Sequence, residues 1–155
     1  MYRAILTVHL LFALFSGAYC DWHLIWADEF NGTHLNDSEW SYEVGCNGWG
    51  NKELECYTAH RNKNVRVENG HLVIDARVES YQGQNFTSGF IKSKKAWAYG
   101  KFEVMARLPS GLQLWPAIWL VPRDKKYGEF AASGEIDIME YYRGDLLANV
   151  AWGTQ

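Results

Sequence analysis

Three carboxylates lie close together in one run, Gly134-Glu-Ile-Asp-Ile-Met-Glu140, and they are the residues of this chain best placed to do chemistry. The apolar residues between them are the mark of a strand. On a regular strand Glu135 and Asp137 share one face, while Ile136 and Ile138 turn the other way into a core. Glu140 is five positions from Glu135, so strict alternation sends it to the opposite face. One extra residue, a β-bulge near Met139, returns it to the face of the other two, and bulges are common beside active sites. With that bulge the Cα atoms of the two glutamates stand roughly 13 Å apart, at ~3.3 Å per residue. Two long side chains leaning together over a concave strand can close this to about 5–5.5 Å, the separation at which one carboxylate attacks a sugar carbon and the other moves the proton. Two aspartates could not reach; Asp137 fills the space between. Three carboxylates this close cannot all ionise freely, so at least one titrates toward neutrality, as a general acid requires. An inverting layout, with its carboxyls farther apart, is the disfavoured variant. The same residues also suit a solvated acidic face or a Ca²⁺-binding edge, although adjacent like charges destabilise a sheet.

The elements that must hold these residues read as short strands joined by turns. Val65–Glu68 and 71–78 flank Asn69-Gly70, a pair that tolerates the positive φ angles of a type I′ hairpin turn. In the second arm Leu72, Ile74, Ala76 and Val78 alternate with His71, Val73, Asp75 and Arg77. Over 101–108, Phe102, Val104, Ala106 and Leu108 alternate with Lys101, Glu103, Met105 and Arg107, which predicts another strand. The apolar run 117–121 closes at Pro122, and 136–141 and 147–152 complete the candidates. No stretch has convincing helical periodicity. Many short strands with turn signals between them predict an all-β antiparallel sandwich or barrel. The chain stops at Gln155 directly after a strand-like segment, whereas such sandwiches often need roughly 200–250 residues. A fragment lacking its C-terminal side is the expectation.

Composition narrows the function classes. The 155 residues are 48% apolar and 21% charged, so the chain is globular and suits one domain. Aromatics reach 15%, including 8 Trp and 9 Tyr, which suits a bulky core or a surface that stacks on sugar rings. Net charge is −3, and Lys92, Lys94 and Lys95 form only a short local run, which argues against a nucleic-acid partner. Residues 1–20 read as a signal peptide: Arg3, an apolar run from Ala4 to Phe15, then Ser16, Gly17 and Ala18. That run is short for a bilayer span, so no membrane attachment is expected after cleavage. A secreted or extracellular location follows (periplasmic or cell-surface in a bacterium). Cys20 lies at the processing boundary, leaving Cys46 and Cys56 as a disulfide pair in an oxidising compartment or as two buried thiols. Asn31-Gly-Thr, Asn36-Asp-Ser and Asn85-Phe-Thr are glycosylation sequons that mark surface positions in a eukaryotic chain.

Five segments in order resemble glycoside hydrolase family 16, in particular its laminarinase-like, endo-1,3-β-glucanase branch. They are Asp21-Trp-His-Leu-Ile-Trp-Ala-Asp-Glu-Phe-Asn-Gly, Trp49-Gly-Asn-Lys-Glu-Leu-Glu-Cys-Tyr-Thr, Tyr99-Gly-Lys-Phe-Glu-Val-Met-Ala-Arg-Leu-Pro, Leu114-Trp-Pro-Ala-Ile-Trp-Leu and Ser133-Gly-Glu-Ile-Asp-Ile-Met-Glu. The resemblance implies a β-jelly-roll sandwich of the concanavalin A-like kind. Residues 21–155 would then be the N-terminal and central part of the catalytic domain. It implies Glu135 as nucleophile, Glu140 as general acid/base and Asp137 as the residue that orients and tunes the nucleophile. It makes Trp115, Trp119, Trp49, Asn51 and Glu53 candidates for substrate contacts, although alternation places Trp119 among apolar neighbours that suit core packing. It implies a β-glucan polysaccharide as partner, a monomer, and no required cofactor, with a structural Ca²⁺ left open.

One departure bears on the site: in Ser88-Gly-Phe-Ile-Lys-Ser-Lys many relatives carry Arg where this chain has Phe90, which removes or replaces one polar contact. The expected activity is a secreted, retaining endo-β-glucanase acting on 1,3-β- or mixed-linkage glucan. Three alternatives stand beside it. One is a non-catalytic glucan-binding protein on the same scaffold, which would typically lack one or both glutamates. The second is a glycosidase of galactan-type polymers, and the third a Ca²⁺-stabilised lectin.

Overall fold

The computed structural model describes residues 21–111 and 113–153, Phe130 by its backbone alone. The predicted signal peptide, 1–20, lies outside the described residues. Ten strands form among the described residues: β1 Trp40–Tyr42, β2 Glu55–Tyr57, β3 Val65–Glu68, β4 His71–Ile74, β5 Arg77–Tyr81, β6 Gln84–Ser88, β7 Ile91–Ser93, β8 Ala117–Leu120, β9 Glu135–Tyr142 and β10 Asp145–Ala151. A 3-10 turn, Phe130–Ala132, precedes β9, and no α-helix occurs among the described residues. The strands pair as β1-β7, β2-β6-β5, β3-β4 and β10-β9-β8. Every pairing is antiparallel except β2 with β6. The all-β reading therefore holds.

The β3-β4 hairpin turns at Asn69 and Gly70, whose φ angles of 53° and 73° are those the Asn-Gly pair predicts. Its second arm is shorter than the alternation suggests. The Asp75 amide still reaches the Asn64 carbonyl at 2.8 Å, but the Asp75 carbonyl takes the Asn64 side-chain Nδ2 at 3.1 Å. The ladder ends there, and the chain enters a second sheet as β5. Val78, the last apolar residue of that alternation, is 85% exposed. A second tight turn at Gln82 and Gly83, both at positive φ, joins β5 to β6.

Asn64 is the hub of a buried polar cluster. It accepts from Thr58 Oγ1 at 2.8 Å and Arg61 Nη1 at 3.2 Å, and its Nδ2 also donates to Thr87 Oγ1 at 2.9 Å. Thr87 in turn donates to Glu79, which is paired with Arg61 at 3.0 Å. These bonds tie β2, β3, β5 and β6 to one another, beside an apolar core of Leu35, Cys56, Val65 and Val67. Gly89 belongs to the same packing, because a Cβ there would lie 2.2 Å from Val65 Cγ2.

The predicted strand over 101–108 does not form. A strand needs a neighbour's N–H and C=O groups, and none lies alongside this segment among the described residues. Val104 and Met105 are exposed there. Ile136 likewise fails to enter a core and is 48% exposed.

Candidate active site

The site rests on β9, the central strand of the β10-β9-β8 sheet. Directly opposed residues of antiparallel strands point to the same face, so the registers locate every side chain. On β8, Ala117 opposes Glu140, Ile118 opposes Met139, and Trp119 opposes Asp137. On β10, Leu147 opposes Glu140, Asn149 opposes Asp137, and Ala151 opposes Glu135. Both registers slip by one residue between Asp137 and Glu140. That slip is the bulge the spacing predicts, and it lies at Ile138 and Met139. It brings Glu135, Asp137 and Glu140 onto one face, with Ile136 and Met139 on the other. Gly134, at φ 93°, admits the turn into the strand where a side chain would be strained.

The three carboxylates sit in different surroundings. Asp137 is 8% exposed, the most buried of them. Burial raises the Glu135 carboxyl above the usual glutamate range, and the Asp137 charge, a hydrogen bond with Asp137 and the Glu140 charge add to it. Asp137 is also raised, first by burial and then by the Glu140 charge, against the hydrogen bond with Glu135, which pulls it down. That bond raises Glu135 and lowers Asp137. Glu140 is held differently. Its Oε1 accepts from Trp115 Nε1 at 2.9 Å and its Oε2 from Asn149 Nδ2 at 2.6 Å.

The aromatic candidates surround this strand. Trp115 packs its ring against Tyr142 at 5.0 Å while its N–H reaches Glu140. Trp119 opposes Asp137 and so lies on the carboxylate face of the sheet. Phe90 touches Trp119 at 5.7 Å, Trp49 at 5.3 Å and Tyr57 at 5.4 Å. The residue that departs from the expected Arg thus fills the centre of an aromatic cluster linking the 46–56 loop to β8.

Cys46 and Cys56 are joined in a disulfide that closes this loop, with Cα atoms 4.2 Å apart. Inside it Gly48, Trp49, Gly50 and Lys52 all have positive φ. Trp49 folds back over Gly45, where a Cβ would meet the indole at 3.3 Å, and its Nε1 is buried without a partner among the described residues. Asn51 Nδ2 donates to Glu53 Oε1 at 3.2 Å, and Tyr57 Oη donates to Glu53 Oε2 at 2.7 Å. Burial and then the Glu53 hydrogen bond raise the Tyr57 phenol, which stays a donor. Asn51 and Glu53 have no direct hydrogen bond to the catalytic candidates among the described residues. Their link runs through Tyr57, Phe90 and Trp119.

Sequence reasoning missed Asn149 and Tyr142 as site residues. Asn is depleted in strands, so an Asn inside the apolar run Leu147–Trp152 was a usable signal. No group of three or more His, Cys, Asp or Glu is arranged to hold a metal among the described residues.

The model of the XgeA-like, catalytic GH16 domain matches residues 52–152. A glucan endo-1,3-beta-glucosidase of Cryptopygus antarcticus is 50% identical over 141 residues, covering 87% of this chain and 52% of that protein. A beta-glucanase of Rhodothermus marinus is 50% identical over 125 residues, covering 77% of this chain and 44% of that one. The X-ray structure of the laminarinase from Rhodothermus marinus superposes with a TM-score of 0.79 at 44% identity, covering 85% of this chain and 56% of that chain. The chain spans about half the length of the curated relatives it matches. At that likeness the strands belong to the β-jelly-roll sandwich of these enzymes. The family model covers most of the chain and the bulged carboxylate strand lies inside the match; the chain belongs to glycoside hydrolase family 16.

Proposed function

We propose that this chain carries the active site of a retaining endo-1,3-β-glucanase. The observation that carries the reading is the bulge at Ile138 and Met139, which sets Glu135, Asp137 and Glu140 on one face of β9. The activities named for the glucanase relatives support the substrate class. In the first step the Glu140 carboxylic acid gives its proton to the glycosidic oxygen as that C–O bond breaks, and a Glu135 oxygen bonds to the anomeric carbon. In the second, Glu140 as carboxylate takes a proton from water, the water oxygen bonds to the same carbon, and Glu135 is released. Asp137 lies beside Glu135 on the same face, where it orients and tunes the nucleophile. Two inversions retain configuration. Carboxylates supply all of this chemistry, so no metal is required for it.

Trp115, Trp119 and Trp49 line the sugar-binding side, with Asn51 and Glu53 as polar contacts. Mixed-linkage glucan is a second substrate of the same cleft. Export as a monomer is part of the proposal, supported by the leader pattern of residues 1–20 and by the Cys46–Cys56 disulfide. The test incubates the full-length protein with laminarin, mixed-linkage glucan, agarose and carrageenan, beside Glu135→Gln and Glu140→Gln. Reducing ends released from laminarin by the wild type alone support the reading. Binding without release from any polymer favours the glucan-binding alternative and sinks the enzyme.

A further inference from the structure

We propose that Asn149 is a positioning residue that fixes the Glu140 carboxylate for both proton transfers; this rests on the reading of Glu140 as acid/base. Glu140 sits immediately after the bulge, where the registers with β8 and β10 have both just slipped. Its backbone is paired on both sides, with Ala117 and Leu147, but that pairing does not fix the carboxyl, which is free to rotate about its terminal bond. Asn149 and Trp115 remove that freedom from two sides. Each donates one N–H, Asn149 to Oε2 at 2.6 Å and Trp115 to Oε1 at 2.9 Å. Each oxygen keeps one lone pair, and those lone pairs point in fixed directions. The proton therefore leaves for the leaving oxygen, and later arrives from water, along a set line.

The two donors have separate supports. Trp115 is braced by the Tyr142 ring at 5.0 Å, whereas Asn149 is carried by the β10 backbone opposite Asp137. An exposed Asn in a strand contributes little to the sheet itself. Its amide is used on Glu140 instead.

The experiment measures Asn149→Ala and the isosteric Asn149→Asp in the full-length protein, on laminarin and on an activated aryl β-glucoside with and without azide. Azide attacks the glycosyl-enzyme without needing a base, so it bypasses Glu140 in the second step. Expected for both variants is a fall in kcat on laminarin on the order of tenfold to a hundredfold, with KM held within about twofold. Azide then speeds turnover of the aryl glucoside by the variants and leaves the wild type unchanged. Wild-type kcat in Asn149→Ala overturns the proposal, and so does loss in Asn149→Ala with full activity in Asn149→Asp, since shape alone would then suffice. A rise in KM without azide rescue overturns it too. Glu140→Gln separates the two claims: if it stays active, the acid/base reading itself is wrong.

Discussion

Glu135 and Asp137 face a conflict that sets the pH behaviour of the site. As the proposed nucleophile Glu135 must be bare to attack, yet burial and the Asp137 charge make it hold its proton to higher pH. The acid limb of kcat/KM therefore lies above the ordinary glutamate value of ~4.3. Asp137→Asn removes a charge that raises Glu135, so the limb moves to lower pH in a pH–rate profile. Stability follows the same sign. A carboxyl raised on folding contributes stability below its unfolded pKa and loses it as pH rises through the folded one. Asp137→Asn should accordingly gain more in melting temperature at pH 7 than at pH 4. Away from the cleft, Asn64→Ala strands the buried Thr58 hydroxyl and the Asp75 carbonyl and removes the donor that Thr87 accepts. A loss of about 2–3 kcal/mol in urea unfolding is expected.

At the scale of elements, the bulge is a matter of parity. Asp137 and Glu140 are three residues apart and face the same way only because one residue is extra. Deleting Met139 leaves them two apart, which regular alternation also puts on one face, with Leu147 and Asn149 still opposite them. The deletion variant should therefore keep reducing-end release well above the Glu140→Gln background. The disulfide is a second device at this scale. Its ten-residue separation predicts a loss of about 2–3 kcal/mol on Cys46→Ala with Cys56→Ala, read as a lowered thermal midpoint.

These elements also show what the amino-acid order alone made legible. The bulge and the Asn-Gly hairpin were readable because each follows from a count of residues and a local backbone preference. β1, β2 and β7 have three residues each, too few for a period, and β2 and β6 pair across a distance no local pattern records. Residues 101–108 alternate well but lack a ladder partner among the described residues. Asn149 was hidden for the opposite reason: its role depends on Glu140, a neighbour across the sheet.

For the molecule as a whole, the β10-β9-β8 sheet has two unlike faces. One carries the carboxylates. The other presents Leu120, Ile136 and Val150 in one row and Ile118 beside Met139 in the next. Val150 is 59% exposed, and Leu146 is exposed further along β10. An apolar face of this kind seeks a cover. Residues 21–155 produced alone should bind a hydrophobic dye, and Ile136→Thr with Val150→Thr should reduce that binding.

The loop between Cys46 and Cys56 bears on how a polysaccharide would be met. Four of its residues sit at left-handed backbone angles, its ends are covalently joined, and its one large ring is wedged over Gly45. Little conformational freedom is left to surrender when a sugar arrives. If this loop forms the rim of the proposed cleft, calorimetry of oligosaccharide binding should show a small unfavourable entropy that grows when the cysteines are reduced, because the loop is rigid before a ligand comes.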